Sequence, residues 1–125
     1  MKFTREMPTA LTIRSVSDAE IRIGDHSYAD TIALTVDTVI ADWPVKPVSD
    51  LTDSDFSRLL DTAPEIIILG TGAANLFPPR ELVFAMARRG IGFEVMGTRA
   101  AARTFNVLAG EGRNVAAVLY VGKSD

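Results

Sequence analysis

The sequence predicts a layered α/β fold with additional antiparallel strands in its N-terminal third. Three observations predict it. Up to Trp43 the chain alternates apolar and polar residues in short runs, the pattern of half-buried strands. After the Pro44–Pro47 stretch the period changes, and helical spacing alternates with short apolar runs. Finally, Ile66-Ile67-Ile68-Leu69 is wholly apolar, as expected of a central strand covered on both faces.

The elements follow in order. In "TALTIRSVS", Leu11, Ile13 and Val16 fall close to one face. Ile21 and Ile23 alternate again, and Gly24-Asp25 supplies a turn. His26 lies in the polar stretch "GDHSYAD" and is expected to be a solvated turn residue. Ile32, Leu34 and Val36 form one short strand and Val39 to Ala41 another, with a bend near Asp37. This third reads as hairpins that either add a layer or extend the sheet. Trp43, before Pro44, is expected to pack at a strand end.

Beyond the prolines, Thr52 or Ser54 can cap a helix whose positive end Asp53 and Asp55 favour. Phe56, Leu59 and Leu60 give it an apolar side, and "APE" ends it. The apolar strand follows. Pro78-Pro79 is expected to open a second helix, where a missing N–H costs nothing. Leu82, Val83, Ala85 and Met86 form its buried side, Arg88 and Arg89 suit its negative end, and Gly90 stops it. "IGFEVM" is the next strand. Thr98 is expected to cap a third helix that Gly110 stops, and "NVAAVLYVG" is the last strand. Strand–helix alternation of this kind implies a sheet with right-handed crossovers wherever neighbouring strands are parallel. Residues 1 to 125 read as a single α/β domain.

Composition narrows the function classes. The 125 residues are 47% hydrophobic and 23% charged, an ordinary globular balance. A net charge of −3 argues against nucleic acid as an electrostatic partner. The absence of cysteine removes disulfides, thiol nucleophiles and thiolate metal sites, and one histidine makes a histidine-built metal site or relay implausible. No cofactor or metal is implied. The opening "MKFTREMPTALTI" has no apolar leader region, and no stretch approaches the length of a membrane span, so a cytoplasmic location is expected.

The turn Gly70-Thr71-Gly72 is where a phosphate cradle would sit. A dinucleotide fingerprint needs a third glycine at position 75, which is Asn75, and a helix directly after it. A P-loop ending is also absent. The glycines are instead expected to let the chain leave a buried strand by close approach and positive φ. Even so, clefts form beyond the C-terminal ends of parallel strands. "GTGAANLFPP" and "MGTRA" sit at two such ends, and the free N–H groups opening the third helix would favour an anion between them. Arg99, Arg103 and Asn106 share one face of that helix, and Asn106 is unusual there, because asparagine is a modest helix former. The apolar stripe of the helix reads as Ala101, Thr104, Phe105 and Leu108, flanked by Ala100 and Val107. The candidate binding residues are therefore Gly70, Thr71, Gly72, Thr98, Arg103 and Asn106. Glu65, Glu81, Glu94 and Glu111 are scattered, and no nucleophile elbow is present, so no residue is nominated as catalytic. Phe77, held extended by the prolines after it, is a candidate exposed anchor.

A strand ending in "ILGTG", then "PP" and a helix, then "GIGFEVMGTRAAARTFNVLAGEGRNVAAVLY", resembles a small α/β family. Its members are mostly uncharacterised bacterial and archaeal proteins. Eukaryotic members include a mitochondrial respiratory complex I assembly factor and a protein linked to adipocyte differentiation. The resemblance spans nearly the whole chain and is strongest from Glu65 to Tyr120. It rests on the Gly70-Thr71-Gly72 turn, the helix from Thr98 to Asn106, and Gly112-Arg113. It implies three layers: a central mixed sheet flanked by helices, with an extra β-hairpin layer. It also implies that the last strand runs antiparallel to the others. The functional expectation is a non-catalytic protein-binding or assembly module with a protein partner, connected to complex I biogenesis. The alternative is a small anionic ligand, or an enzyme's substrate, held in the cleft by backbone amides and Arg103.

Overall fold

The computed structural model describes residues 11–74 and 76–122. The first ten residues of the opening stretch read for a leader, which include the first two of the "TALTIRSVS" strand, and Asn75 lie outside these. Both options for the N-terminal third are realised. Strands β1 (Ile13–Val16), β2 (Ile21–Ile23) and β3 (His26–Tyr28) form a separate antiparallel sheet in the order β1-β2-β3. Strands β4 (Ile32–Leu34) and β5 (Val39–Ile40) instead join β6 (Ile66–Gly70), β7 (Gly92–Met96) and β8 (Val115–Leu119). This larger sheet has the order β5-β4-β8-β6-β7 and is mixed.

Alternation along the buried strands divides the core. Ile68, Ala117, Leu119, Ile32 and Leu34 face helix α3 (Thr98–Gly110) and the small sheet, meeting Phe105, Ala101, Ile21 and Ile23. Ile67, Leu69, Ala116, Val118 and Ala33 face the other way. There they meet Trp43, Phe56, Leu59, Leu82 and Met86, from the segment after β5, from α1 (Ser57–Leu60) and from α2 (Arg80–Arg88). The result is the expected three-layer arrangement: a central mixed sheet with helices on both faces and the hairpin layer beside α3. Phe56 packs edge-on against both Trp43 and Phe93, with ring centroids 6.2 and 5.9 Å apart. Truncating a buried phenylalanine of this kind costs about 4 kcal/mol.

Several local expectations are corrected. The last strand, β8, is parallel to β6 and antiparallel only to β4. Helix α3 carries the chain back across the sheet between β7 and β8, so β8 enters in the same direction as β6 and β7. His26 is exposed but lies in strand β3, paired with Ile23. The first predicted helix is mostly a 3-10 turn over Asp53–Phe56, closed by the capping box of Thr52 and Asp55, with one α turn behind it. Pro78-Pro79 precede α2 rather than open it, and Val83 is turned to solvent. Gly97, not Thr98, occupies the cap position of α3. Gly110 is the last helical residue, and it is Gly112 that takes positive φ to reverse the chain. On α3, Ala102 and Ala109 are buried, whereas Thr104 and Leu108 are half-buried and Val107 is exposed.

Candidate functional site

The Gly70-Thr71-Gly72 turn leaves β6 where α3 begins. The two glycines serve different ends. A Cβ on Gly70 would lie 3.0 Å from the Ala101 Cβ, the Leu119 Cδ2 and the Thr98 Cα, so the absence of a side chain is what lets α3 sit against the sheet. Gly72 has φ +87°. Its N–H donates to Thr98 Oγ1 (2.8 Å), and its carbonyl accepts from the Thr98 N–H (2.9 Å). The Thr98 hydroxyl in turn donates to the Tyr120 carbonyl (2.8 Å), and the Tyr120 N–H donates to the Gly70 carbonyl (2.9 Å). Thr98 thus ties together the ends of β6 and β8 and the start of α3, which is why it forgoes capping. Thr71 does the equivalent job towards β7. Its N–H donates to the Met96 carbonyl (2.9 Å) and its hydroxyl to the Ala74 carbonyl (2.6 Å). Both threonines are buried. Each such bond contributes about 1 kcal/mol net, and leaving its buried partner unmade costs more.

On the outer side of this knot lies a cleft of ≈360 Å³. Gly72, Thr98, Arg99 and Arg103 form one wall, Val16, Ser17 and Asp18 at the end of β1 form the other, and Tyr120 lies at its margin. Of the six candidate residues, the structure brings Gly72, Thr98 and Arg103 to this cleft. Gly70 and Thr71 lie behind it. Asn106 is engaged elsewhere: its side-chain amide donates to the Ile13 carbonyl and accepts from the Ile13 N–H, both at 2.9 Å. Among the described residues, the N–H groups of Arg99 and Ala100 make no protein hydrogen bond, whereas those of Thr98 and Ala101 do. The wall therefore offers two guanidinium groups and two amide donors, faced by one hydroxyl and one carboxylate. That chemistry suits an anion.

A second hollow of ≈500 Å³ adjoins the first. Gly72, Tyr120 and Gly122 line both, so the glycine turn is a partition between them. Pro47, Val48, Leu76, Phe77 and Val121 make this second hollow more apolar. The Tyr120 hydroxyl donates to the Lys46 carbonyl. Burial, assisted by the nearby Asp55 carboxylate, pushes that phenol up to about 12. Nothing local in the sequence points to Tyr120, Ser17 or Asp18 as wall residues, because only tertiary pairing brings them to α3. Among the described residues, no group of three or more His, Cys, Asp or Glu side chains comes together.

Fold and site together define a three-layer α/β domain with a paired hollow at the C-terminal ends of its parallel strands. Residues 13–120 match the family model described as "Protein of unknown function (DUF498/DUF598)", and the chain belongs to that family. It is 34% identical over 117 residues to the bovine NADH dehydrogenase [ubiquinone] 1 alpha subcomplex assembly factor 3. That match covers 92% of this chain but only 63% of the longer bovine protein. A 13 kDa major membrane protein of Francisella tularensis is 29% identical over 99 residues, which is 79% of this chain and 80% of that one. The NMR structure of a Xanthomonas campestris protein superposes with a TM-score of 0.84 at 33% identity, covering 100% of this chain and 96% of that one.

Proposed function

We propose that this chain is a non-catalytic protein-binding module that works in the assembly of a larger complex, with respiratory complex I biogenesis as its setting and the cytoplasm as its compartment. The setting comes from the assembly factors it is similar to. The observation that carries the binding reading is the edge of the large sheet. Among the described residues, strand β7 pairs only with β6. Gly92 donates to the Glu65 carbonyl and Met96 accepts from the Thr71 N–H, so residues 92, 94 and 96 spend their backbone groups on β6. The N–H and C=O groups of Phe93 and Val95 then point outward, open to a strand from another protein. A photo-crosslinking residue in place of Glu94, introduced in the native host, is expected to trap a discrete partner among complex I subunits or their assembly proteins. A yield no higher than from a control position at Ser27, on the small sheet, would sink this reading. Fractionation of the same tagged chain checks the compartment.

A second reading is favoured by Arg99 and Arg103 beside the two open amides. In it the ≈360 Å³ cleft holds a small anion. Calorimetric titration with phosphate and with dicarboxylates, repeated on Arg103→Ala, tests it. No heat from any anion, or unchanged binding by the variant, would remove it.

A further inference from the structure

We propose that the outer face of α2, with the Leu76-Phe77 step leading into it, docks on an anionic lipid surface. Of the six large hydrophobic residues exposed among the described residues, Val83 (38%) and Phe84 (53%) lie on α2, and Leu76 (42%) and Phe77 (78%), which also border the second hollow, lie in the segment leading into it. Isolated exposed apolar residues are ordinary, but a concentration of them next to polar groups marks a contact surface. The helix periodicity organises it. Leu82, Ala85 and Met86 point into the core, so Arg80, Phe84 and Ala87 point directly away from it. Val83 and Arg88 lie on either flank of that arc. Arg80 and Arg88 stand four residues before and after Phe84, roughly 6 Å along the axis on each side.

The charges select the occupant. The chain carries a net −3, yet this arc holds two arginines without an ion-pair partner among the described residues. The one acid on α2, Glu81, borders the arc on the side of Arg88, two turns before it. Glu81 lines a hollow with Ser49, Leu51 and Asp53, and Asp53 pairs with Arg89 at 3.4 Å. An apolar centre of phenylalanines between arginines is the composition of a face that lies at a bilayer boundary, with rings among the upper acyl carbons and guanidinium groups at phosphate level. No helix is long and apolar enough to cross a membrane among the described residues, so the contact is peripheral. Each arginine at an anionic surface contributes roughly a fivefold gain in binding, which salt screens.

The test is co-sedimentation of the full chain with vesicles of phosphatidylcholine alone and of phosphatidylcholine with an equal part of phosphatidylglycerol. The chain is expected to pellet with the anionic vesicles, to stay in solution with the neutral ones, and to be released by salt. Phe77→Ser with Phe84→Ser, and separately Arg80→Gln with Arg88→Gln, are each expected to reduce pelleting at least about tenfold while leaving the circular dichroism unchanged. As a readout that does not depend on loss, Phe84→Trp is expected to shift its emission to the blue on adding anionic vesicles, read against the Trp43 background. No pelleting with the anionic vesicles, equal pelleting with the neutral ones, pelleting that both double variants retain, or an unmoved emission spectrum of Phe84→Trp each overturns the proposal. None of these outcomes touches the β7 edge, so the assembly reading stands or falls separately.

Discussion

Asn106 holds Ile13 by both of its backbone groups: the amide nitrogen donates to the Ile13 carbonyl and the amide oxygen accepts from the Ile13 N–H, each at 2.9 Å. Ninety-three residues separate them in sequence. The pair fastens β1, and with it the small sheet, to the middle of α3. An asparagine in mid-helix is explained by this: it supplies a donor and an acceptor side by side, as a neighbouring strand would. Asn106→Ala leaves both Ile13 groups without their partner and is expected to cost about 2 kcal/mol. The melting temperature then falls by roughly 8 °C. Asn106→Asp keeps the acceptor but presses a carboxylate against a carbonyl, and thermal melts followed by circular dichroism are expected to place it no higher than the alanine variant.

Gly70 and Gly110 are expected to respond to the same substitution with opposite signs. A Cβ at Gly70 meets three atoms at 3.0 Å, one of them the Thr98 backbone, which cannot swing aside. Gly70→Ala should cost about 2 kcal/mol or more and loosen the start of α3. At Gly110 nothing lies within 4 Å, the residue is helical, and alanine is the better helix former. Gly110→Ala should be neutral or stabilising by up to about 1 kcal/mol. Denaturant unfolding of the two variants checks both. A Gly70→Ala protein as stable as the parent would show that α3 is not seated on the turn as described.

Asn106 and Gly70 mark where sequence legibility ends. The period-two runs and the apolar Ile66–Leu69 segment located the strands, because burial of one or both faces dictates side-chain character directly. Gly70 and Gly72 were legible as a corner for the same reason: only glycine tolerates that approach and that φ. Asn106 was legible as an oddity, but not its partner, since nothing near it in sequence encodes Ile13. Thr98 looked like a cap because a threonine before a helix usually is one, and tertiary bonds to Gly72 and Tyr120 outcompeted that local role. His26 looked like a turn residue because its neighbours are polar, yet pairing to β2 was enough to make a short exposed strand. The direction of β8 depends on where α3 lays the chain down, which no local pattern records.

Stability should erode at both ends of the pH scale for separate reasons. The Tyr120 phenol is raised from an ordinary value of 10.0 to about 12, first by burial and then by Asp55. A raised value means the folded state holds the proton more tightly than the unfolded chain. The associated stability is therefore full below pH 10 and is lost as pH climbs from 10 towards 12. Tyr120→Phe should remove most of that alkaline loss while giving up the bond to the Lys46 carbonyl, about 1 kcal/mol. Burial pushes Asp55 up, but bonds from Lys46 and from the Thr52 N–H and hydroxyl outweigh it and hold the carboxyl below its ordinary 3.8. That contribution is full well above 3.8 and is lost as pH falls below it, through the depressed value of the folded state. Melting curves across pH should show both shoulders. Asp55→Asn should flatten the acid one, and an acid shoulder unchanged in that variant would assign it to other carboxylates.

Among the described residues no strand pairs with the outer edge of β7, and Glu94 stands at its centre. If two copies paired antiparallel about Glu94, the outward groups of Phe93 and Val95 would exchange hydrogen bonds with Val95 and Phe93 of the second copy. Glu94 would then face Glu94 in a pair that makes no backbone bonds, where opposed Cα atoms come to about 4.5 Å. Two carboxylates at that spacing repel, so the edge resists pairing with a second copy of itself. Glu94→Val removes the repulsion and adds a β-branched side chain that favours strand pairing. Sedimentation velocity across a concentration series should show that variant associating further than the parent. Glu94→Lys, repulsive with itself, should associate with the parent chain in mixtures but not alone. If Glu94→Val sediments like the parent at every concentration, the edge is not available to a strand, and the edge-pairing proposal falls.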